Sequence, residues 1–209
     1  MAFVLPVMLE GRHATLEPLA REHAGALAAA AADGELWRLW YTGVPAPEQA
    51  ASWVDAALAM REGAGAMPFA VRDNATGDIV GSTRYCNVEA AHRRLEIGHT
   101  WYARRVQRTA LNTECKLLLL THAFETLNCI AVEFRTNFFN FPSRGAIARL
   151  GAKQDGILRQ HQIQPDGTRR DTVVFSIIDA EWPAVKRHLR FLLEMGTDHV
   201  FPTAAKASG

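Results

Sequence analysis

The sequence predicts an α+β fold: a mixed, twisted β-sheet of about seven strands flanked by about five helices. Three observations carry this. Apolar residues recur at every second position in short runs between Met67 and Tyr102, the spacing of half-buried strands. The period then lengthens to three and four, placing Leu117, Leu120, Phe124 and Leu127 on one helical face. Strand-like runs return at Ile130–Phe134 and Thr172–Ile178, beyond turn or helix signals.

Taken in order, His13–Leu19 reads as a strand and Arg21–Ala32 as a helix of strong helix formers. A second helix is expected from Pro47 to Arg61. Between them, Leu36-Trp37-Arg38-Leu39-Trp40-Tyr41 either covers the core or walls a cleft, as do Trp37, Trp40 and Trp53 individually. Phe69 and Val71, then Ile79, Gly81, Thr83 and Tyr85, form two strands about the turn Asn74-Ala75-Thr76-Gly77. Leu95–Tyr102 completes an antiparallel meander. After the long helix, ended by Asn128, come a strand from Ile130, a helix over Pro142–Leu150 stopped by Gly151, and two strands about Pro165-Asp166-Gly167. A last helix starts near Asp179 and buries Val185, Leu189 and Leu192.

Among 209 residues, 48% hydrophobic and 22% charged, no compositional break marks a second domain. Residues 1–196 are therefore expected to form one domain and 197–209 a flexible tail. Lys and Arg number 23 against 22 Asp and Glu, a net charge of +1. This offers no global field for nucleic acid or an anionic membrane, so any anion site is local. The apolar opening Met1–Leu9 lacks a basic flank, is too short to span a bilayer, and reads as an early strand or a lead-in. Cys86, Cys115 and Cys129 show neither a paired framework nor metal-ligand spacing, consistent with packing residues in a reducing cytoplasm. The histidines lack zinc-site spacing, and no metal is assigned.

The chemistry concentrates in Trp101–Lys116, where a strand ends in a loop with Arg104, Arg105 and Arg108 ahead of a helix. Unpaired N–H groups at the helix start, its dipole and guanidinium forks favour a pyrophosphate. The alternative is a solvated basic loop. With Leu95-Glu96-Ile97-Gly98 before the loop and Asn140–Ala152 behind it, the chain resembles the GNAT acetyltransferases, particularly the branch that includes the RimJ/RimL ribosomal-protein N-acetyltransferases. The likeness runs in order over roughly residues 8 to 195.

That resemblance implies a GNAT fold with a central splayed strand pair, and acetyl-CoA, or coenzyme A, as the bound group. Its cofactor site would comprise Trp101, Tyr102, Gln107, Arg108, Thr109, Ala110, Leu111, Asn112, Thr113, Asn140, Ser143 and Arg144. Ala110 and Asn112 stand where the family pattern has Gly and Gly or Ala; alanine is nearly as small, and asparagine tolerates left-handed backbone and can cap a helix. Ser143 and Arg144 could equally be a helix cap and a surface ion pair. Ile147 occupies the position of the tyrosine that often protonates the departing thiolate.

Because only a neutral amine attacks, the acceptor's protonation matters: at pH 7 roughly 10% of an α-amino group is neutral, against roughly 0.04% of a lysine. Glu96, His99 or Glu133 could take the proton. Strand alternation places Glu96 and His99 on opposite faces, so at most one is expected in a given site, and His99 could instead be a buried, hydrogen-bonded residue. The catalytic set is thus Glu96, His99 and Asn140. The implied activity is acetyl transfer in a direct ternary complex to a small-molecule amine or a protein N-terminus. A non-catalytic CoA-binding sensor or assembly module is the alternative, and self-association is permitted.

Overall fold

A computed structural model describes residues 3–63 and 65–195, so the expected tail lies outside the described residues. The strands are β1 (Leu9–Glu10), β2 (Ala14–Pro18), β3 (Ala66–Asp73), β4 (Ile79–Glu89), β5 (Arg94–Tyr102), β6 (Ala131–Asn137), β7 (Lys153–Ile163) and β8 (Arg169–Ile178). The α-helices are α1 (Ala24–Ala32), α2 (Ala50–Glu62), α3 (Ala110–Thr121), α4 (Phe141–Arg149) and α5 (Trp182–Met195). One sheet holds all eight strands in the order β1-β2-β3-β4-β5-β6-β8-β7.

The eighth strand, beyond the expected seven, is the two-residue β1. The Glu114 carboxylate fixes the turn behind it, accepting from the backbone N–H groups of Arg12, His13 and Ala14 at 3.0, 2.5 and 2.8 Å. The β3–β4 turn forms as its residues dictate: Gly77 takes φ 78° and donates to Asp73, and the Asp73 carboxylate accepts from Ala75. The helix expected from Arg21 opens as a short 3-10 turn because His23 Nδ1 accepts from the Ala20 N–H. The long helix closes through a π turn, His122–Thr126, with Asn128 left-handed at φ 54°. The last helix starts at Trp182 rather than Asp179, whose carbonyl accepts from Trp182 in the preceding turn.

Neighbouring side chains on β4 show which helices cover which face. Arg84 lies over Trp53 of α2, whereas the Tyr85 hydroxyl donates to the Leu119 carbonyl of α3. Thus α1 and α2 cover one face and α3, packed on α5, the other. Helix α4 joins α3 and α5 there: Arg149 donates to Thr113 Oγ1, and His188 lies 3.0 Å from the Arg149 carbonyl. Both layers are apolar inside, with Phe69, Tyr85, Leu119, Phe134 and Ile177 among the fully buried residues.

Candidate active site

All strand pairs are antiparallel except β5–β6, which pairs in parallel at three positions: Arg94↔Ala131, Leu95↔Val132 and Glu96↔Glu133. Past Glu96 and Glu133 the strands part, so β5 from Ile97 to Tyr102 has no partner on that side. An unpaired strand edge offers alternating N–H and C=O groups to an extended, amide-bearing chain. The crotch of this fork is pinned by charge. Arg94 and Arg135 both bind Glu133, Arg135 also lies 3.6 Å from Glu96, and Asn87 donates to Glu96 at 2.7 Å. Burial raises the Glu96 pKa, with Asn87 and Arg135 opposing the shift.

The structure corrects the expected alternation on β5. A Cβ at Gly98 would lie 2.7 Å from Glu96 Oε1 and 3.0 Å from Cys86 Sγ, so positions 96 and 98 share the α2 face. Trp101 packs on Trp53 of α2, while Thr100 meets Lys116 of α3. The pattern slips between 98 and 100, where β4–β5 register shifts and His99 takes φ 49°, a β-bulge. Glu96 and His99 therefore do not segregate to opposite faces: both feel the Arg170 charge, and His99 also feels Arg84 of the α2 face.

Nor is His99 a buried core histidine. It is exposed, yet desolvation by surrounding protein, aided by Arg84 and Arg170, pushes its pKa down to about 4. A ring open to solvent but crowded on its other sides belongs to a cleft wall. It is neutral at pH 7.

At the far end of the fork the loop turns into α3. Arg108 takes the left-handed conformation (φ 62°), and Thr109 caps the helix, its Oγ1 accepting from Leu111 N–H at 3.3 Å. Ala110 opens α3 and Asn112 lies in its first turn. The left-handed residue and the cap thus sit at 108 and 109, and neither Ala110 nor Asn112 needs glycine's freedom. Of the three loop arginines, Arg105 is already paired with Asp33 and Asp78 at 3.2 Å. Gln107 donates to the Tyr102 carbonyl at 2.9 Å, closing the loop onto β5.

Several expected cofactor residues turn inward. Thr113 is fully buried against Arg149, Trp101 packs on Trp53, and Tyr102 is buried beside Cys115. Across the gap, Asn140 caps α4, its Oδ1 accepting from Ser143 N–H at 3.1 Å, while its Nδ2 makes no hydrogen bond among the described residues. Among the described residues Arg144 makes no ion pair: it donates to the Phe138 carbonyl and covers the Phe138 and Phe141 rings. Phe139 meets Trp40 at 5.6 Å, and both stay more than half exposed. Of the aromatic connection, Leu36 thus serves the core and Trp40 does not.

Sequence reading missed Arg84, Arg170 and Lys116. Lys116 lies within a buried stretch of α3, between Cys115 and Leu119, and that position in an apolar stripe was the available signal. The residue is 5% exposed and donates to Thr100 Oγ1 at 2.9 Å. Among the described residues no group of three or more His, Cys, Asp or Glu could hold a metal ion, and no helix is long and apolar enough to cross a membrane.

The fold recurs in known proteins. The Acetyltransferase (GNAT) domain family matches residues 13–153. A crystal structure of a GCN5-related N-acetyltransferase from Brucella melitensis is 31% identical, with a TM-score of 0.81 over 91% of this chain and 86% of that one. Mycobacterium smegmatis RimJ, solved with CoA-disulfide, shares the fold at 21% identity and a TM-score of 0.74, covering 89% and 94% of the two chains. A Bacillus subtilis protein named as a ribosomal N-acetyltransferase, YdaF, is 28% identical over 110 residues, 53% of this chain. That match spans only 59% of the YdaF protein. With the family matched over most of its length, the chain belongs to the GNAT acetyltransferases.

Proposed function

We propose that the protein transfers an acetyl group from acetyl-CoA to a primary amine in a direct ternary complex. The observation that carries this reading is the fork: an unpaired β5 edge running from the start of α3 to a charged crotch. The fit to coenzyme A is chemical. Three N–H groups at the α3 start and the Arg108 guanidinium suit a pyrophosphate, with Thr109–Asn112 forming the cradle. Ser143 and Arg144 shape the opposite rim, and Asn140 Nδ2 is an uncommitted donor for an amide carbonyl of the arm. Trp101, Tyr102 and Gln107 hold the strand and loop from behind. When bound, the group supplies an activated acyl carbon.

On the other side of the fork, the polar α2 face receives the acceptor. His99, open and neutral, can accept a hydrogen bond from the attacking nitrogen or from a water, while the proton itself passes to solvent, since desolvation makes this imidazole a weak base. Glu96 holds the crotch together with Asn87 and Arg135. Trp40 and Phe139 line the approach. An α-amine, a peptide N-terminus or an amino-bearing small molecule, is favoured over a lysine by its larger neutral fraction.

Calorimetry with acetyl-CoA, followed by thiol release with a panel of N-terminal peptides and small amines, tests this. Cofactor binding in the micromolar range and steady release with at least one α-amine are expected. Binding without turnover on any amine leaves a CoA-binding module. Absence of binding at high micromolar cofactor removes the reading altogether.

A further inference from the structure

Lys116 is a buried cation whose hydrogen bonding among the described residues is limited to the Thr100 hydroxyl at 2.9 Å. An ammonium carries three donors, so burial with one partner is costly unless the proton has a use. The groups facing it offer no counter-charge. Cys115 beside it on α3 and Cys86 on β4 are held neutral by burial, Cys115 being pushed up to about 12. Tyr102, against Cys115, is likewise pushed up, and the neighbouring Glu114 is committed to the β2 turn.

Thr100, by contrast, is exposed and lies on the part of β5 that has no β6 partner. Its Oγ1 also lies 2.7 Å from Thr83 Oγ1, which fixes the hydroxyl's position. One hydroxyl therefore links a buried proton store to an exposed residue on the unpaired stretch of β5. The α4 residue Ile147, on the same side of the sheet, is buried and carries no acid.

We propose that Lys116, acting through Thr100, supplies the proton that the departing thiolate takes up. This rests on the acetyl-transfer reading above. As the amine nitrogen bonds to the acetyl carbon, the carbon–sulfur bond breaks and sulfur keeps the electron pair. Thr100 Oγ1–H gives its proton to sulfur while Lys116 Nζ–H gives one to Oγ1, leaving a neutral lysine. The attacking nitrogen loses one proton to solvent, and Lys116 regains one from solvent, so the count closes. Thr100 is the group that touches the sulfur; Lys116 is a positioning residue behind it. Burial supports the match by pushing Lys116 down to about 8, near an ordinary thiol at about 8.5, where transfer is close to balanced.

CoA itself is the probe, so no acceptor need be known. Thiolate absorbance of bound CoA, corrected for the free protein, is titrated in the wild type, Lys116→Met, Thr100→Val and Thr100→Ser. Titration about one pH unit or more below free CoA is expected in the wild type and Thr100→Ser, because a hydroxyl polarised by the buried ammonium donates to the thiolate. Lys116→Met and Thr100→Val should return it to the free value or above. If the wild type binds CoA and all four titrate alike, this proposal is overturned and acetyl transfer stands; if the wild type binds no CoA, acetyl transfer itself falls. Should Lys116→Met fail to fold, the Thr100 pair decides alone: valine shifted and serine not supports the relay, and both alike overturns it.

Discussion

At the scale of single residues, the unusual groups are those whose surroundings conflict with their chemistry. Lys116 is the sharpest case. Its pKa falls from 10.5 to about 8 in the folded protein, so below pH 8 the unfolded chain holds the charge more easily and the fold bears a penalty of roughly 3 kcal/mol. The penalty shrinks as pH rises from 8 to 10.5, where both states lose the proton. Lys116→Met should therefore be more stable than the wild type at pH 7, by up to about 3 kcal/mol, with the gain fading by pH 10.5. Denaturant melts at the two pH values check this; equal stabilities at pH 7 would contradict it. Gly98 makes the opposite prediction. Its absent Cβ leaves room for Glu96 Oε1 and Cys86 Sγ, so Gly98→Ala should destabilise by about 1–3 kcal/mol in the same melts, as overpacking does. Single-residue roles were the least legible level of the sequence: Asn140 stands out by resemblance and Glu96 by its place on an expected strand, but Lys116 and Arg84 acquire meaning only from what the fold sets against them.

At the scale of elements, periodicity specified the strands and helices well, because both periods report which side chains face the core. It failed where a local hydrogen bond overrode the period. The β5 bulge is one such place: a strict alternation separates Glu96 from His99, and one inserted residue reunites them. The start of α3 is another. Sequence placed the special backbone at Ala110 and Asn112, whereas the turn spends its left-handed residue at Arg108 and its cap at Thr109. Two substitutions separate these roles. Thr109→Ala removes the cap and should cost about 1 kcal/mol of stability. Arg108→Gly keeps the left-handed turn without its Cβ strain and removes the guanidinium. CoA affinity should fall about tenfold, the size of one charge-assisted contact. Calorimetry beside thermal melts distinguishes the two; an Arg108→Gly protein that binds CoA as the wild type does would remove Arg108 from the phosphate site.

At the scale of the whole molecule, the mixed α+β order was legible, but the sheet's line of weakness was not, since no local pattern encodes where two parallel strands stop pairing. Strands β1–β5 and β6–β8 are joined in the sheet by three parallel pairs alone, clamped by Arg94, Arg135 and the two glutamates. Helices α3 and α5 add packing across one face. An extended ligand lying in the fork would bond to the free β5 edge, meet the α3 start, and contact Asn140 beyond β6, linking both halves. Such a ligand binds the folded chain and not the unfolded one, so at a hundredfold excess over its dissociation constant it adds about 2.7 kcal/mol of stability. For a chain of this size that corresponds to a rise in thermal midpoint of about 5–10 °C. Hydrogen exchange should localise the effect. The gap-facing amides of Ile97–Tyr102 lack a strand partner and exchange fast in the free protein; CoA should slow them, while amides in the β3–β4 pair, already bonded on both sides, change little. A uniform slowing across the sheet, or none in β5, would place the ligand elsewhere.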